Sequence, residues 1–251
     1  MSKQLDAWVR ADSMTAARLP LLCFPHAGGG GLGYRSWSQG LPAHVGVWPI
    51  ELPGRESRVA EAPFRRIPAL VDALVEALSG HLDRPYALFG HSMGAVLAFE
   101  FARGLRRVGG RGPELLVVSA RRGPTVYEVQ PTRLHDRPDV ELVAYLRRLG
   151  GTPREVLDDP AMASFVLGAL RADFEMLETW AYTPELALDC PILAFAGRSD
   201  PHAPATDVAR WRELTTGAFE LCELPGDHFF IHPERAAVLE RIGAALDRPH
   251  P

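Results

Sequence analysis

The chain has 251 residues, 47% of them hydrophobic and 23% charged, with a formal net charge of −4. That length can bury a large core in one α/β domain, and the weak negative charge gives no footprint for nucleic acid or an anionic membrane. No apolar stretch approaches the roughly 18 residues that span a bilayer, residues Met1 to Arg10 are polar with no apolar export core, and the separated cysteines Cys23, Cys190 and Cys222 read as buried free thiols. The expectation is a cytoplasmic protein without a disulfide framework.

Short β-rich runs alternate with helical patterns, which predicts a mostly parallel, twisted sheet with helices on both faces. The first candidate strand, Leu19–Phe24, runs into Pro25-His26-Ala27-Gly28-Gly29-Gly30-Gly31-Leu32-Gly33. This loop suits two chemistries. One is an oxyanion loop that lends a backbone N–H to acyl transfer, with Ala27 as the best-placed donor. The other is dinucleotide binding, since Gly28-x-Gly30-x-x-Gly33 followed by Glu51 at the end of the next strand formally fits that fingerprint. Against it, Pro25-His26-Ala27 separate strand from glycines, and Gly40-Leu41-Pro42 cuts short the helix that should follow. A plain flexible loop is the third reading.

The second candidate strand covers 45–51. After it Ile67, Leu70, Val71, Leu74, Val75, Leu78 and Leu82 form one apolar helical stripe. The third strand, 86–89, enters Gly90-His91-Ser92-Met93-Gly94, and an unbroken helical run follows over 95–102. A serine between glycines at a strand-to-helix corner is the pattern of a nucleophile elbow, where a strained turn exposes the hydroxyl at a helix N-terminus. The bland alternative is a structural tight turn. In the catalytic reading Ser92 is the nucleophile, the Met93 N–H joins Ala27 in an oxyanion hole, and the His91 side chain diverges from the site.

A fourth strand, 115–119, precedes a block without strands at 131–182. The segment 140–149 reads as one helix and 160–182 as two. A crossover rarely needs so many residues, so the block is expected to be a lid, with ordinary crossover helices as the alternative. Strand 192–196 then ends in Gly197-Arg198-Ser199-Asp200-Pro201, and strand 219–223 ends in Leu224-Pro225-Gly226-Asp227-His228-Phe229-Phe230. Ser92, Asp200 and His228 thus all follow strands, at the edge where open α/β sheets build their sites. A serine hydroxyl needs a base and the base an orienting acid, which assigns His228 and Asp200 those roles.

Each assignment has a structural counterpart. Asp200 before proline could initiate a turn, and His228 beside two phenylalanines could be a packed histidine. Asp207 and Asp227 are the reserve acids, and His202 is expected at the site rim. His228 and His232 superficially resemble a zinc pair, but the glutamate of H-E-x-x-H is missing and Pro233-Glu234-Arg235 opens a helix only afterwards. No metal is expected. His26, Met93, Phe229 and Phe230 are candidate pocket residues. Arginines at 103, 106, 107, 121, 122, 147 and 148 suggest either an anion-docking face or solvated helix surfaces.

Together these segments resemble the type II thioesterases that accompany modular polyketide and nonribosomal peptide synthetases. The likeness rests on Cys23-Phe24-Pro25-His26-Ala27-Gly28-Gly29, Glu51-Leu52-Pro53-Gly54-Arg55-Glu56, Phe89-Gly90-His91-Ser92-Met93-Gly94-Ala95, Asp200 and Gly226-Asp227-His228-Phe229-Phe230. It covers nearly the whole chain, with Gly30 and Gly31 as a mild departure. The resemblance implies one α/β-hydrolase domain over 1–251, with a helical lid where this chain has its inserted block. It also implies an editing serine hydrolase that removes stalled or misprimed acyl groups from the phosphopantetheine arm of acyl or peptidyl carrier proteins. No resident cofactor is implied, because the pantetheine arrives on the substrate, and a monomer is expected. A carboxylesterase or acyltransferase would use the same residues, and a non-catalytic binding protein on this scaffold is the rival of a different class.

Overall fold

The computed structural model of the chain describes residues 3–9, 17–126 and 133–247. Its strands are β1 (Leu19–Phe24), β2 (Val45–Pro49), β3 (Ala87–His91), β4 (Leu115–Ser119), β5 (Ile192–Gly197) and β6 (Phe219–Leu224). They pair side by side in parallel, in the order β2-β1-β3-β4-β5-β6. An isolated antiparallel bridge from Val9 to Ile50 adds the N-terminal segment beside β2. The chain thus steps outward from β1 to β2, returns past β1 to β3, and continues to β6. Strand order reverses between β1 and β3, and such a switch point opens a crevice beyond the strand C-termini.

Strand periodicity builds a core on each face. In β1, Leu22 and Phe24 join one apolar cluster while Leu21 and Cys23 join the other. In β4, Leu116 and Val118 alternate with Leu115 and Val117 in the same way, as the two-residue repeat of a strand requires. Helices α1 (Lys3–Trp8), α2 (Ile67–Leu78) and α3 (Met93–Arg107) cover the first face, together with the short α7 (Ala205–Val208). Helix α8 (Arg235–Leu246) covers the second, beside Tyr34 and Trp37. It begins two residues after the proline that was expected to open it, because Pro233 and Glu234 stay in the preceding turn, with Glu234 as N-cap.

Helices α4 (Asp139–Leu149), α5 (Arg154–Asp158) and α6 (Pro160–Thr179) lie between β4 and β5. The segment expected to hold two helices is one helix of 20 residues followed by extended chain from Trp180. It starts cleanly because the Asp159 carboxylate accepts the N–H groups of Ala161 and Met162 at 2.8 and 3.0 Å, with Pro160 in the first turn. Nothing inside it breaks the helix, since Gly168 faces open space and a lone glycine is tolerated. These helices share a small core of Leu142, Leu146, Leu157, Leu167, Leu170 and Phe174, against which Ala27 packs. Residues 131 and 132 of the expected insertion lie outside the described residues.

Candidate active site

The corner between β3 and α3 is built by close backbone approach. A Cβ on Gly90 would lie 2.0 Å from the Gly94 carbonyl oxygen, and one on Gly94 would lie 2.1 Å from that of Phe24. Both positions therefore require glycine. Between them Ser92 adopts φ 54° and ψ −113°, a conformation costly for a residue with a side chain. Its N–H donates to the Ser119 carbonyl at 2.8 Å, which ties the strained turn to β4.

Two loops from the far half of the sheet reach this serine. His228 Nε2 lies 3.0 Å from Ser92 Oγ, and His228 Nδ1 lies 2.8 Å from Asp200 Oδ2. The other Asp200 oxygen accepts the His202 N–H at 2.8 Å. Burial pushes the Asp200 carboxyl up, yet its bond and charge interaction with His228 and the N–H groups of His202 and Ala203 outweigh this and hold it below the ordinary carboxylate range. The reserve acids are occupied elsewhere. Asp227 accepts the N–H of Phe229 at 2.9 Å, closing its own turn, and Asp207 lies 3.5 Å from Arg122.

The Met93 N–H stands in the first turn of α3, where no intrahelical acceptor exists. Ala27 and Ser92 line the same cavity. That cavity measures about 380 Å³, and its walls include Tyr145, Leu170, Phe174 and Phe229 besides the polar row. His26 lines it too. Burial, then His232, His228 and Arg55, push the His26 imidazole down to about 3, so the ring is neutral.

Several expectations change on the structure. Phe230 is fully buried in the second-face core rather than on the cavity wall. Neighbouring side chains in the turn diverge, and Phe230 fills the space that Gly197 leaves open, where a Cβ would meet its ring at 2.9 Å. The Met93 side chain is likewise core rather than on the cavity wall. His91 is turned toward Ser119, with Nδ1 2.9 Å from its Oγ, but its ring also lies 5.5 Å from that of His228. His202 is at the rim as expected, 5.7 Å ring to ring from His228. His232 stacks on Phe229 at 6.1 Å, away from any shared ligand with His228. Among the described residues no group of three or more His, Cys, Asp or Glu is arranged to hold a metal ion. The glycine run opens into a 3-10 turn of four residues, Gly31–Tyr34, rather than the long helix that a pyrophosphate site uses. Arg103, Arg106 and Arg107 converge on Glu185 at 2.9, 3.1 and 2.6 Å, which makes them an internal network. Arg121 and Arg122, by contrast, line the cavity.

One feature escaped the sequence reading. Arg55 and Asp173 form a two-armed ion pair, both arms 2.7 Å long, with Arg55 7% and Asp173 0% exposed. Arg55 lies in a motif already noted, but Asp173 had no local signal beyond a carboxylate on a helix.

Comparison with known proteins agrees with this architecture. The thioesterase domain family matches residues 19–246. Gramicidin S biosynthesis protein GrsT of Aneurinibacillus migulanus is 38% identical over 238 residues, which is 94% of this chain and 93% of that protein. Among solved structures, RedJ, a thioesterase from the prodiginine pathway of Streptomyces coelicolor, superposes with a TM-score of 0.87 at 41% identity, covering 92% of this chain and 91% of that one. BorB, a type II thioesterase from the borrelidin cluster, gives a TM-score of 0.87 at 38% identity over 96% of this chain and 98% of its own. With a parallel α/β sheet, a carboxylate–imidazole–hydroxyl row that opens on the cavity at Ser92 and these relatives, the chain belongs to the thioesterase family and is similar to its type II members.

Proposed function

We propose that this thioesterase hydrolyses acyl groups from the phosphopantetheine arm of carrier proteins, and so edits stalled or misprimed polyketide or nonribosomal peptide synthases. The observation that carries the chemistry is the row Ser92 Oγ, His228 Nε2, His228 Nδ1, Asp200 Oδ2, with spacings of 3.0 and 2.8 Å. His228 takes the Ser92 proton as the hydroxyl attacks the thioester carbonyl, and Asp200 fixes the ring and stabilises its charged form. The N–H groups of Met93 and Ala27 receive the oxyanion. The tetrahedral intermediate then collapses and the pantetheine sulfur leaves, taking the proton from His228 to become the free thiol and returning the imidazole to its neutral form; with a thiol pKa of about 8.5 the carbon–sulfur bond breaks with little help from that acid. Water, deprotonated by His228, attacks the acyl-serine, and release of the acid restores Ser92.

In this reading the helices within 131–182 act as a lid on a single domain. The acyl chain lies between Phe229 and the lid residues Tyr145 and Phe174, which line the same cavity as Ser92. The carrier is the partner, the enzyme works as a cytoplasmic monomer, and no cofactor takes part. No described helix is long and apolar enough to cross a membrane.

Intact-mass spectrometry of acyl-loaded carrier proteins, run beside matched oxyesters, tests the proposal. Loss of the acyl mass with recovery of the free pantetheine thiol is expected, faster than oxyester cleavage. Preference for the oxyester, or transfer to another acceptor, would make the chain an esterase or acyltransferase. Failure of Ser92 to react with a fluorophosphonate would point to a non-catalytic scaffold.

A further inference from the structure

The glycine loop that carries Ala27 has its own turn, with the Gly29 N–H donating to the His26 carbonyl at 2.9 Å, but it is also held from outside. Outside the loop, Asp173 of α6 accepts the Gly28 N–H at 2.8 Å through the same oxygen that receives Arg55 Nη1 at 2.7 Å. Arg55 Nη1 also donates to the Gly29 carbonyl at 3.0 Å. On the other side of the loop, Glu56 accepts the N–H groups of Gly31 and Leu32, each at 3.0 Å. Gly30 lies so close to that carboxylate that a Cβ there would stand 2.0 Å from it. One turn before Asp173 on α6, Leu170 approaches within 2.9 Å of where a Gly28 side chain would begin, and Gly28 has φ +75°. The loop is therefore clamped between the Arg55-Glu56 segment and a helix of the insertion.

We propose that Arg55 and Asp173 are positioning residues, a latch that couples seating of α6 to the geometry of the oxyanion loop; this rests on the reading of Ser92 and Ala27 given above. Only with α6 seated does Asp173 reach the Gly28 N–H, one residue beyond the Ala27 donor. Movement of α6 away from the sheet removes the acceptor from Gly28 and the counterion from Arg55 together. The hole is thus fully formed in the closed state and loosened in the open one. A buried ion pair is poor evidence for stability alone, since apolar residues of similar volume often replace one without loss. Here each partner also holds backbone of the loop, which an apolar pair cannot do.

The double variant Arg55→Met/Asp173→Leu separates the two roles, because it removes both charges and strands neither. It is compared with wild type and with Ser92→Ala on an acyl thioester of N-acetylcysteamine, with circular dichroism to establish the fold. Deleting a whole oxyanion donor costs about a hundred- to a thousandfold in kcat. A loosened donor should cost about ten- to a hundredfold, with KM little changed. Amide hydrogen exchange should accelerate over residues 26–33 as well as along α6. A folded double variant with wild-type kcat, or with exchange unchanged over 26–33, overturns the latch. Turnover that survives Ser92→Ala overturns the reading of the site instead, and the exchange result then decides alone whether the pair holds the loop. Should the double variant not fold, Asp173→Ala, which removes the acceptor of the Gly28 N–H while Arg55 keeps the Gly29 carbonyl, is read by the same two measurements and the same criteria.

Discussion

The sheet body and the helices inserted between β4 and β5 bury apolar surface on different scales. The body packs a helical layer on each face, and its interior includes Phe24, Phe89, Phe101, Phe195 and Trp211 at 0% exposure. The insertion gathers a cluster of six, Leu142, Leu146, Leu157, Leu167, Leu170 and Phe174. Around that cluster it relies on surface ion pairs such as Arg147–Asp158 and Arg171–Asp139, both 2.5 Å, a kind worth about 0–1 kcal/mol. It also leaves Met162 and Phe165 50% and 62% exposed. The row Ser92, His228 and Asp200 stands on the deep core, while Tyr145 and Phe174 of the cavity wall stand on the shallow one, where local opening is easier.

The largest expected effect lies in the body. Ser92→Ala should lower kcat by about 10³-fold or more while leaving the melting temperature near that of wild type. Retained turnover in the purified variant would dissociate the strained elbow from the chemistry. Next comes the acid. Asp200→Asn should lower kcat by about 10³- to 10⁴-fold, because the amide no longer stabilises the charged imidazole or fixes its tautomer. Asp227→Asn and Asp207→Asn, whose carboxylates are engaged away from His228, should leave kcat nearly unchanged. A loss at Asp227 equal to that at Asp200 would reassign the acid.

The same division governs what was legible in the sequence. β1 and β4 have the bounds that their apolar runs suggest, and the elbow could be read because its glycines, strand and helix are adjacent in the chain. Asp200 and His228 could be placed on one edge because each follows a strand of a parallel sheet. Misreadings arose where three-dimensional packing decides. Phe229 and Phe230 look equivalent in sequence, yet the space beside Gly197 takes Phe230 into the core. Met162 and Phe165 on the exposed face of α6 blur the apolar stripe that would mark it as one continuous helix. Arg55 and Asp173 stand 118 residues apart, and no local pattern marks an ion pair across that separation.

Two phenylalanines sharpen the contrast in energy. Phe101→Ala, in the fully buried α3 core, should cost about 3–5 kcal/mol of global stability by chemical denaturation. Phe174→Ala removes the same ring from the insertion, where it packs on Tyr145 at 5.9 Å and lines the cavity. Its global cost should be smaller, because the site can collapse, and its main signature should be a raised KM for longer acyl chains. Equal stability losses at the two positions would mean that insertion and body unfold as one unit.

The smallest expected effect concerns acid sensitivity, and it too belongs to the body. Burial, followed by the nearby His228, His26 and His232, holds the His91 imidazole well below its ordinary value. His26 is pushed down to about 3. Both rings stay neutral in the folded protein where the unfolded chain, with imidazoles near about 6.5, takes up protons. Stability therefore falls as pH drops below about 6.5, and for His26 this continues until its folded value is reached. Asp200 acts in a lower window, because its depressed carboxyl contributes stability above its unfolded value that is lost only as pH falls through the folded one. Melting temperature should thus decline from about pH 7.5 to about pH 5, and His91→Asn, which can still bond Ser119, should flatten that decline. An unaltered slope in this variant would shift the acid sensitivity from the buried imidazole beneath His228 to groups elsewhere in the chain.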